Sequence, residues 1–213
     1  MKGIKFGEYH SYNEWGLVLK EKEIQSPEVK AYQVEVEGGH GFVDMTDFFG
    51  SVKFSNRKLK FTFYKPNATP DVFAALYTEM QRAIHGQKMQ IIDDDEKGAY
   101  FIGRVSIDKW KSNRRIGEIV IEVDAEPFKQ EIGISSYQAN VKSNATLSII
   151  NAEMPVVPTI TSNAEFLISY GGFNEVYPAG TFTIPELEFG AGINQVYVEG
   201  TGSITFSYKR GWL

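Results

Sequence analysis

Only one stretch of the chain carries the period of an α-helix, residues 69–86 (TPDVFAALYTEMQRAIHG), and that scarcity constrains the fold more than any other feature. Phe73, Leu76, Tyr77, Met80 and Ile84 recur at helical spacing, with Thr78, Glu79, Gln81 and Arg82 on the other side. Thr69 is an N-cap residue type, Pro70 suits the first helical position, and Asp71 sits at the positive end of the helix dipole. Gly86 can adopt the left-handed conformation that closes a last turn. Burying such a stripe stabilises by ~10 kcal/mol before conformational entropy is subtracted, so a broad apolar surface must cover it.

The remainder of the chain supplies period two rather than 3.6. Residues 12–19 (YNEWGLVL) read as an early strand with Trp15, Leu17 and Leu19 on one face. After Pro27, Tyr32, Val34 and Val36 alternate with Gln33, Glu35 and Glu37, the pattern of a half-buried strand. A strand over 52–64 changes phase at residues 55–57, which predicts a bulge or a hairpin turn there. Residues 88–92 form a short strand. Residues 99–110 and 116–124 form a long hairpin with its turn at 111–115 and one wet face. The sheet expected to back the helix is built from 59–64, 88–92 and that hairpin.

Beyond residue 132 the composition shifts. Residues 133–213 contain no His and no Asp, and their only cations are Lys142, Lys209 and Arg210. Short alternating runs at 145–149, 165–170, 181–184, 195–199 and 203–208 are separated by glycine turns, which predicts a small all-β sandwich. The chain is therefore expected to be mainly β. Residues 1–132 form a β-sandwich or barrel-like domain with the one helix at 69–86. Residues 133–213 form an antiparallel β-sandwich, whose last few residues are free to return to the first domain.

Composition excludes several function classes. A net charge of −5 over 213 residues argues against a binder of duplex DNA phosphates or of anionic lipid. With no cysteine there are no disulfides, thiolate zinc sites or cysteine nucleophiles, which suits synthesis in a reducing cytoplasm. The first residues, MKGIKFGEYH, lack the apolar core of a signal peptide. His10, His40 and His85 are the only histidines, and no pair has ligand spacing; no cofactor is expected.

Three local features stand out as candidate contacts with another copy or a partner. Gly39, His40 and Gly41 lie in a GGHG segment that reads either as a turn needing positive φ or as a flexible loop reaching a neighbour. Asp93, Asp94 and Asp95 open a DDDEKG run; consecutive carboxylates followed by Lys97-Gly98 fit a solvated turn, not the alternating ligands of a calcium loop. Trp212 is an apolar end, either a docked strand tail or a frayed terminus. Spacing alone makes no catalytic site, and the residues by themselves describe a two-domain, β-rich interaction protein.

Taken in order, several segments resemble the distal tail proteins (Dit) of long-tailed phages of Gram-positive bacteria. The likeness begins at Ser11-Tyr12-Asn13-Glu14-Trp15-Gly16-Leu17. It runs through 38–46, Asn56-Arg57 with Leu59, Phe61 and Phe63, His85-Gly86, 91–94 and 100–105 (YFIGRV), closing on Ala125-Glu126-Pro127-Phe128-Lys129. The second half matches only loosely, mainly over 200–208. The resemblance implies a virion structural protein without enzymatic activity, a baseplate hub at the tail tip. Six copies of the first domain would form a ring around a channel that DNA passes through, with the second, galectin-like domain outside. Implied partners are the major tail tube protein, the tail-associated tip protein and, in some members, receptor-binding proteins. A prophage or phage-tail-like bacteriocin would use the same part. The runner-up is a cell-wall carbohydrate-binding module. Galectin sugar sites use a histidine, arginines and a stacking tryptophan, whereas residues 133–213 offer no His, only Arg210 and only Trp212. Tyr170, Phe173 and Tyr177 are the remaining rings that could stack on a sugar.

Overall fold

The structure, a computed structural model, describes residues 2–48, 50–112 and 116–213. Its elements form two compact units, Met1–Pro127 and Phe128–Leu213; the expected boundary lay between residues 132 and 133.

The first unit runs β1 (Ile4–Phe6), β2 (Tyr9–His10), β3 (Val18–Ile24), β4 (Gln33–Glu35), β5 (Phe42–Asp44), β6 (Arg57–Pro66), α1 (Pro70–Ala83), β7 (Lys88–Asp93), β8 (Ala99–Ser112) and β9 (Ile116–Ala125). Antiparallel pairing gives the order β2-β1-β7-β8-β9-β6-β3. This sheet curls on itself. Phe6 on β1 meets Phe61 and Phe63 on β6 at 5.9 and 6.2 Å between ring centroids, although three strands separate β1 from β6 in the ladder. Lys22 on the edge strand β3 likewise reaches Asp93 at the end of β7. The arrangement is barrel-like, with its apolar side inward.

Helix α1 covers this core. Phe73, Leu76, Met80 and Ile84 are buried in one cluster with Leu59, Phe61, Phe63, Ile119 and Ile121. Tyr77 is half-buried and stacks on Trp110 of β8 at 5.0 Å. The helix is shorter than the expected 69–86. Thr69 takes the N-cap position without a side-chain cap bond, and Phe73 N–H donates to its carbonyl at 3.0 Å. Gly86 has the expected positive φ (+76°), but its N–H donates to the Val105 carbonyl at 2.8 Å, so it ties the chain to β8 instead of capping the helix.

Three strand expectations need correction. The early strand starts at Val18, not at residue 12, because residues 11–15 form a turn and Gly16 takes φ +59°; Trp15 and Leu17 are nonetheless buried. The strand expected over 52–64 begins at Arg57, and the phase change at 55–57 marks the point where the chain enters the barrel. The segment containing Tyr32, Val34 and Val36 is not half-buried. Strand β4 pairs only with β5 among the described strands, and these side chains are 52, 36 and 53% exposed. The expected 111–115 turn lies partly outside the described residues.

The second unit contains β10 (Lys129–Glu131), β11 (Ser135–Val141), β12 (Asn144–Asn151), β13 (Thr159–Ser162), β14 (Phe166–Tyr170), β15 (Phe173–Tyr177), β16 (Gly180–Thr183), β17 (Gly192–Gly200), β18 (Gly202–Tyr208) and β19 (Gly211–Trp212). Two four-stranded antiparallel sheets, β11-β18-β13-β16 and β12-β17-β14-β15, share one core. Ile160, Ile204 and Phe206 from the first sheet pack with Ile149, Ile168, Val196 and Val198 from the second, and Phe189 joins them. This is the expected antiparallel sandwich. Its outward residues on the first sheet, among them Gln138, Thr159, Thr161 and Thr205, are uncharged and polar.

Candidate oligomer and partner surfaces

Gly39, His40 and Gly41 lie at the tip of the β4–β5 hairpin, and all three are exposed. Gly38 and Gly41 have φ of +78° and +79°, the left-handed region the turn requires. The turn reading holds: these glycines let the chain reverse between β4 and β5. Val34 pairs with Val43 and Glu35 with Phe42 across the arm. Period two then puts Val34, Val36 and Val43 on one face and Glu35, Phe42 and Asp44 on the other. Val43 and Phe42 are 50 and 57% exposed. A two-stranded ribbon is marginal alone, and this one leaves its valines partly exposed.

The three aspartates are engaged inside the chain. Lys22 Nζ lies 2.6 Å from Asp93 Oδ2 and 2.8 Å from Asp95 Oδ2, and Lys2 Nζ lies 2.5 Å from Asp95 Oδ1. The Lys2 and Lys22 ammonium groups, in that order, hold the Asp95 carboxyl down at about 2. Asp94 Oδ2 accepts from Gly3 N–H and from His10 Nε2, both at 3.0 Å. Burial pushes the Asp94 carboxyl up, but these donors and the Lys97 charge outweigh it and leave it below the ordinary range. His10 Nδ1 accepts from the amides of Tyr12 and Asn13 at 3.1 and 3.2 Å, which puts the imidazole proton on Nε2, facing Asp94. The turn thus staples β1, β3 and β7 together. Among the described residues no group of three or more His, Asp or Glu is arranged to hold a metal ion.

Trp212 lies in β19, opposite Lys129 of β10, with the Arg210 guanidinium 5.9 Å from its ring centre. Arg210 also pairs with Glu131 at 3.2 Å, and Leu213 N–H donates to Glu153 at 2.7 Å. The strand tail is docked. The rings that could have stacked on a sugar are occupied instead. Tyr170 donates to Asn194 Oδ1 at 2.8 Å and packs edge-on against Phe189, Phe173 leans on Tyr177, and Tyr177 stacks on Phe182 at 4.8 Å.

One surface had no sequence signal. The non-core side of α1 and the β2 residue Tyr9 enclose a cleft of about 530 Å³ lined by Tyr9, Ala75, Thr78, Glu79, Arg82 and Ala83. Tyr9 stacks on the buried Trp15 at 5.5 Å, and Trp15 Nε1 donates to Glu79 at 3.2 Å, so two of the walls are held in place. Arg82 is the one cation in the lining. Periodicity could have placed 75, 78, 79, 82 and 83 on one helix face, but not Tyr9 opposite them.

Comparison with solved structures decides the fold. The crystal structure of the SPP1 Dit (gp 19.1) protein, described as a paradigm of the hub adsorption apparatus in phages that infect Gram-positive bacteria, superposes with a TM-score of 0.72. The match covers 100% of both chains at 12% identity. The chain has the Dit fold. No family model and no curated protein matches the sequence. The match spans both units, the curled sheet with its one helix and the sandwich after residue 127. No helix among the described residues is long and apolar enough to cross a membrane.

Proposed function

We propose that this chain is a structural hub of a phage tail tip. In this reading six copies form a ring that joins the tail tube to the tip and baseplate proteins and leaves a channel for DNA, and the protein resides in the virion after synthesis in the host cytoplasm. The observation that carries the reading is the likeness to SPP1 Dit over the whole of both chains. The partly exposed apolar side chains of the β4–β5 arm support it, because a ring supplies every copy with a neighbour to cover such a surface. A non-enzymatic role fits the commitments of His10 and of His85, whose Nδ1 accepts from the Ile107 amide at 3.0 Å. The net charge of −5 suits a conduit that must not retain phosphates.

Electron micrographs test the reading, taken of the purified protein alone and after co-expression with the proteins encoded beside it. Rings with a central opening are expected, and a tape-measure gene upstream with a tip gene downstream is the matching genetic context. Absence of rings in both preparations overturns the proposal. Saturable binding of cell-wall polysaccharide by a protein that never assembles would favour the carbohydrate-binding module instead.

A further inference from the structure

Arg57 opens β6 on the inward side, in step with the buried Leu59, Phe61 and Phe63, and is only 6% exposed. Cations are almost never buried to this degree unless they are paired. Among the described residues no carboxylate pairs with this one. Its neighbours across the sheet are Ala125 on β9, then Gly103 on β8 and Met89 on β7, all uncharged. The nearby acids are turned elsewhere. Asp124 is exposed on the other face of β9, opposite Lys58, and Glu126 is held by Lys88 at 2.7 Å. The guanidinium lies 5.5 Å from the centre of the Phe101 ring, and its Nε is enclosed without a hydrogen-bond partner. Nη1 and Nη2 also lack a partner among the described residues but, unlike Nε, keep contact with the surface. Burial pushes the Arg57 pKa down with no neighbouring charge to oppose it, yet a guanidinium stays charged at any ordinary pH.

We infer that Arg57 is the receptor for a carboxylate that this chain does not itself supply, accepted end-on by Nη1 and Nη2. A planar carboxylate takes two parallel N–H bonds from the fork and matches one positive charge with one negative. A phosphate brings about −1.5 to −2 and a further oxygen, for which Ala125, Gly103 and Met89 hold neither a second cation nor a side-chain donor. The Phe101 face holds the fork in place before anything binds. The carboxylate is a free ion or an Asp or Glu side chain of an adjoining protein, and the chemistry is the same for both. The inference stands independently of the ring reading.

Nuclear magnetic resonance of the full chain, with nitrogen-15 in the arginine side chains, tests it. The Arg57 Nε–H signal is assigned by its loss in Arg57→Met. Sodium acetate should move that signal saturably, sodium chloride at the same ionic strength should not, and sodium phosphate should act more weakly than acetate. Arg57→Met should melt no lower than the unmodified chain in chloride, because an unpaired buried charge has gone, and should lose the rise in melting temperature that acetate gives. Arg57→Lys keeps the charge without the fork and should weaken the acetate response several-fold. An Arg57 signal that ignores acetate, or that answers chloride or phosphate as strongly, overturns the inference. So does a Met variant that melts lower to the same extent in both salts, the behaviour of a residue that only packs on Phe101. A second preparation, co-expressed with the proteins encoded beside this one, separates the two sources. A signal still responsive to acetate there assigns the site to a free carboxylate. A signal already displaced and indifferent to acetate, with assembly weakened by Arg57→Met, assigns it to a partner's side chain.

Discussion

The ring of Phe73 on α1 occupies the space directly above Gly117 on β9, where any Cβ would sit. The helix can lie this close to the sheet only because β9 has no side chain at that point. Gly117→Ala drives a methyl group into a rigid aromatic rather than a flexible chain end, an overpacking that costs about 1–3 kcal/mol. Leu76→Ala, from the same buried stripe, costs about 2–5 kcal/mol through lost burial and a residual cavity. Denaturant titration should show both losses as a lower midpoint with an unchanged slope, and both variants should assemble less readily.

Lys22 joins the far edge of the curled sheet to Asp93 and Asp95, and Lys2 holds Asp95 as well. The Asp95 carboxyl lies at about 2 in the folded chain against ~3.9 for a free aspartate. Its contribution is therefore complete above the unfolded value and disappears as pH falls through about 2. Lys22→Met should lower the melting temperature at neutral pH, and the gap to the unmodified protein should close steadily below about pH 4. A gap that persists at pH 2 would show that Lys22 acts through packing and not through its charge.

In the sandwich, Asn194 is buried and bonds Tyr170, the Gly190 amide and carbonyl, and the carbonyls of Ile149 and Gly192. It accepts from Tyr170 Oη at 2.8 Å and from Gly190 N–H at 2.9 Å, and donates to the Gly190 carbonyl at 3.0 Å. Asn194→Ala takes the acceptor from the Gly190 N–H, at about 1–3 kcal/mol if it stays dry, whereas Tyr170 Oη keeps the Glu188 carbonyl at 3.0 Å and the Gly190 carbonyl keeps Asn151 at 3.3 Å. Tyr170→Phe removes one bond and should cost less. Thermal unfolding of the two variants, read by near-ultraviolet circular dichroism, ranks them.

The arm should behave in the opposite way. Phe42→Ser and Val43→Ser alter side chains that touch little of their own chain, so the monomer should keep its unfolding free energy within about 0.5 kcal/mol. Ring formation should nonetheless be lost. Light scattering for assembly, beside calorimetry for stability, separates the two effects.

The contrast between helix and arm explains how far the sequence could be read. The 3.6 period of Phe73, Leu76, Met80 and Ile84 identified a stripe whose cover lies in the same chain, and the strands that provide it announced themselves by period two. Tyr32, Val34 and Val36 show the same alternation, but period two records only that one face is apolar, not which molecule covers it. Trp15 and Leu17 fit a strand by parity and are buried, yet the turn at 11–15 and Gly16 at φ +59° place them there without one. Strands β1 and β2 are too short to carry a pattern. The Asp93–Asp95 staple and the Tyr9 cleft join residues dozens of positions apart, and only the curled sheet brings them together.

The central claim is that the chain works as a closed ring, and the mass of the assembled particle tests it most directly. Native mass spectrometry of the full chain, alone and co-expressed with the proteins encoded beside it, should yield a species containing six copies of the 24.0 kDa chain. A single 24.0 kDa species in both preparations, at concentrations where the arm could find a partner, would contradict it.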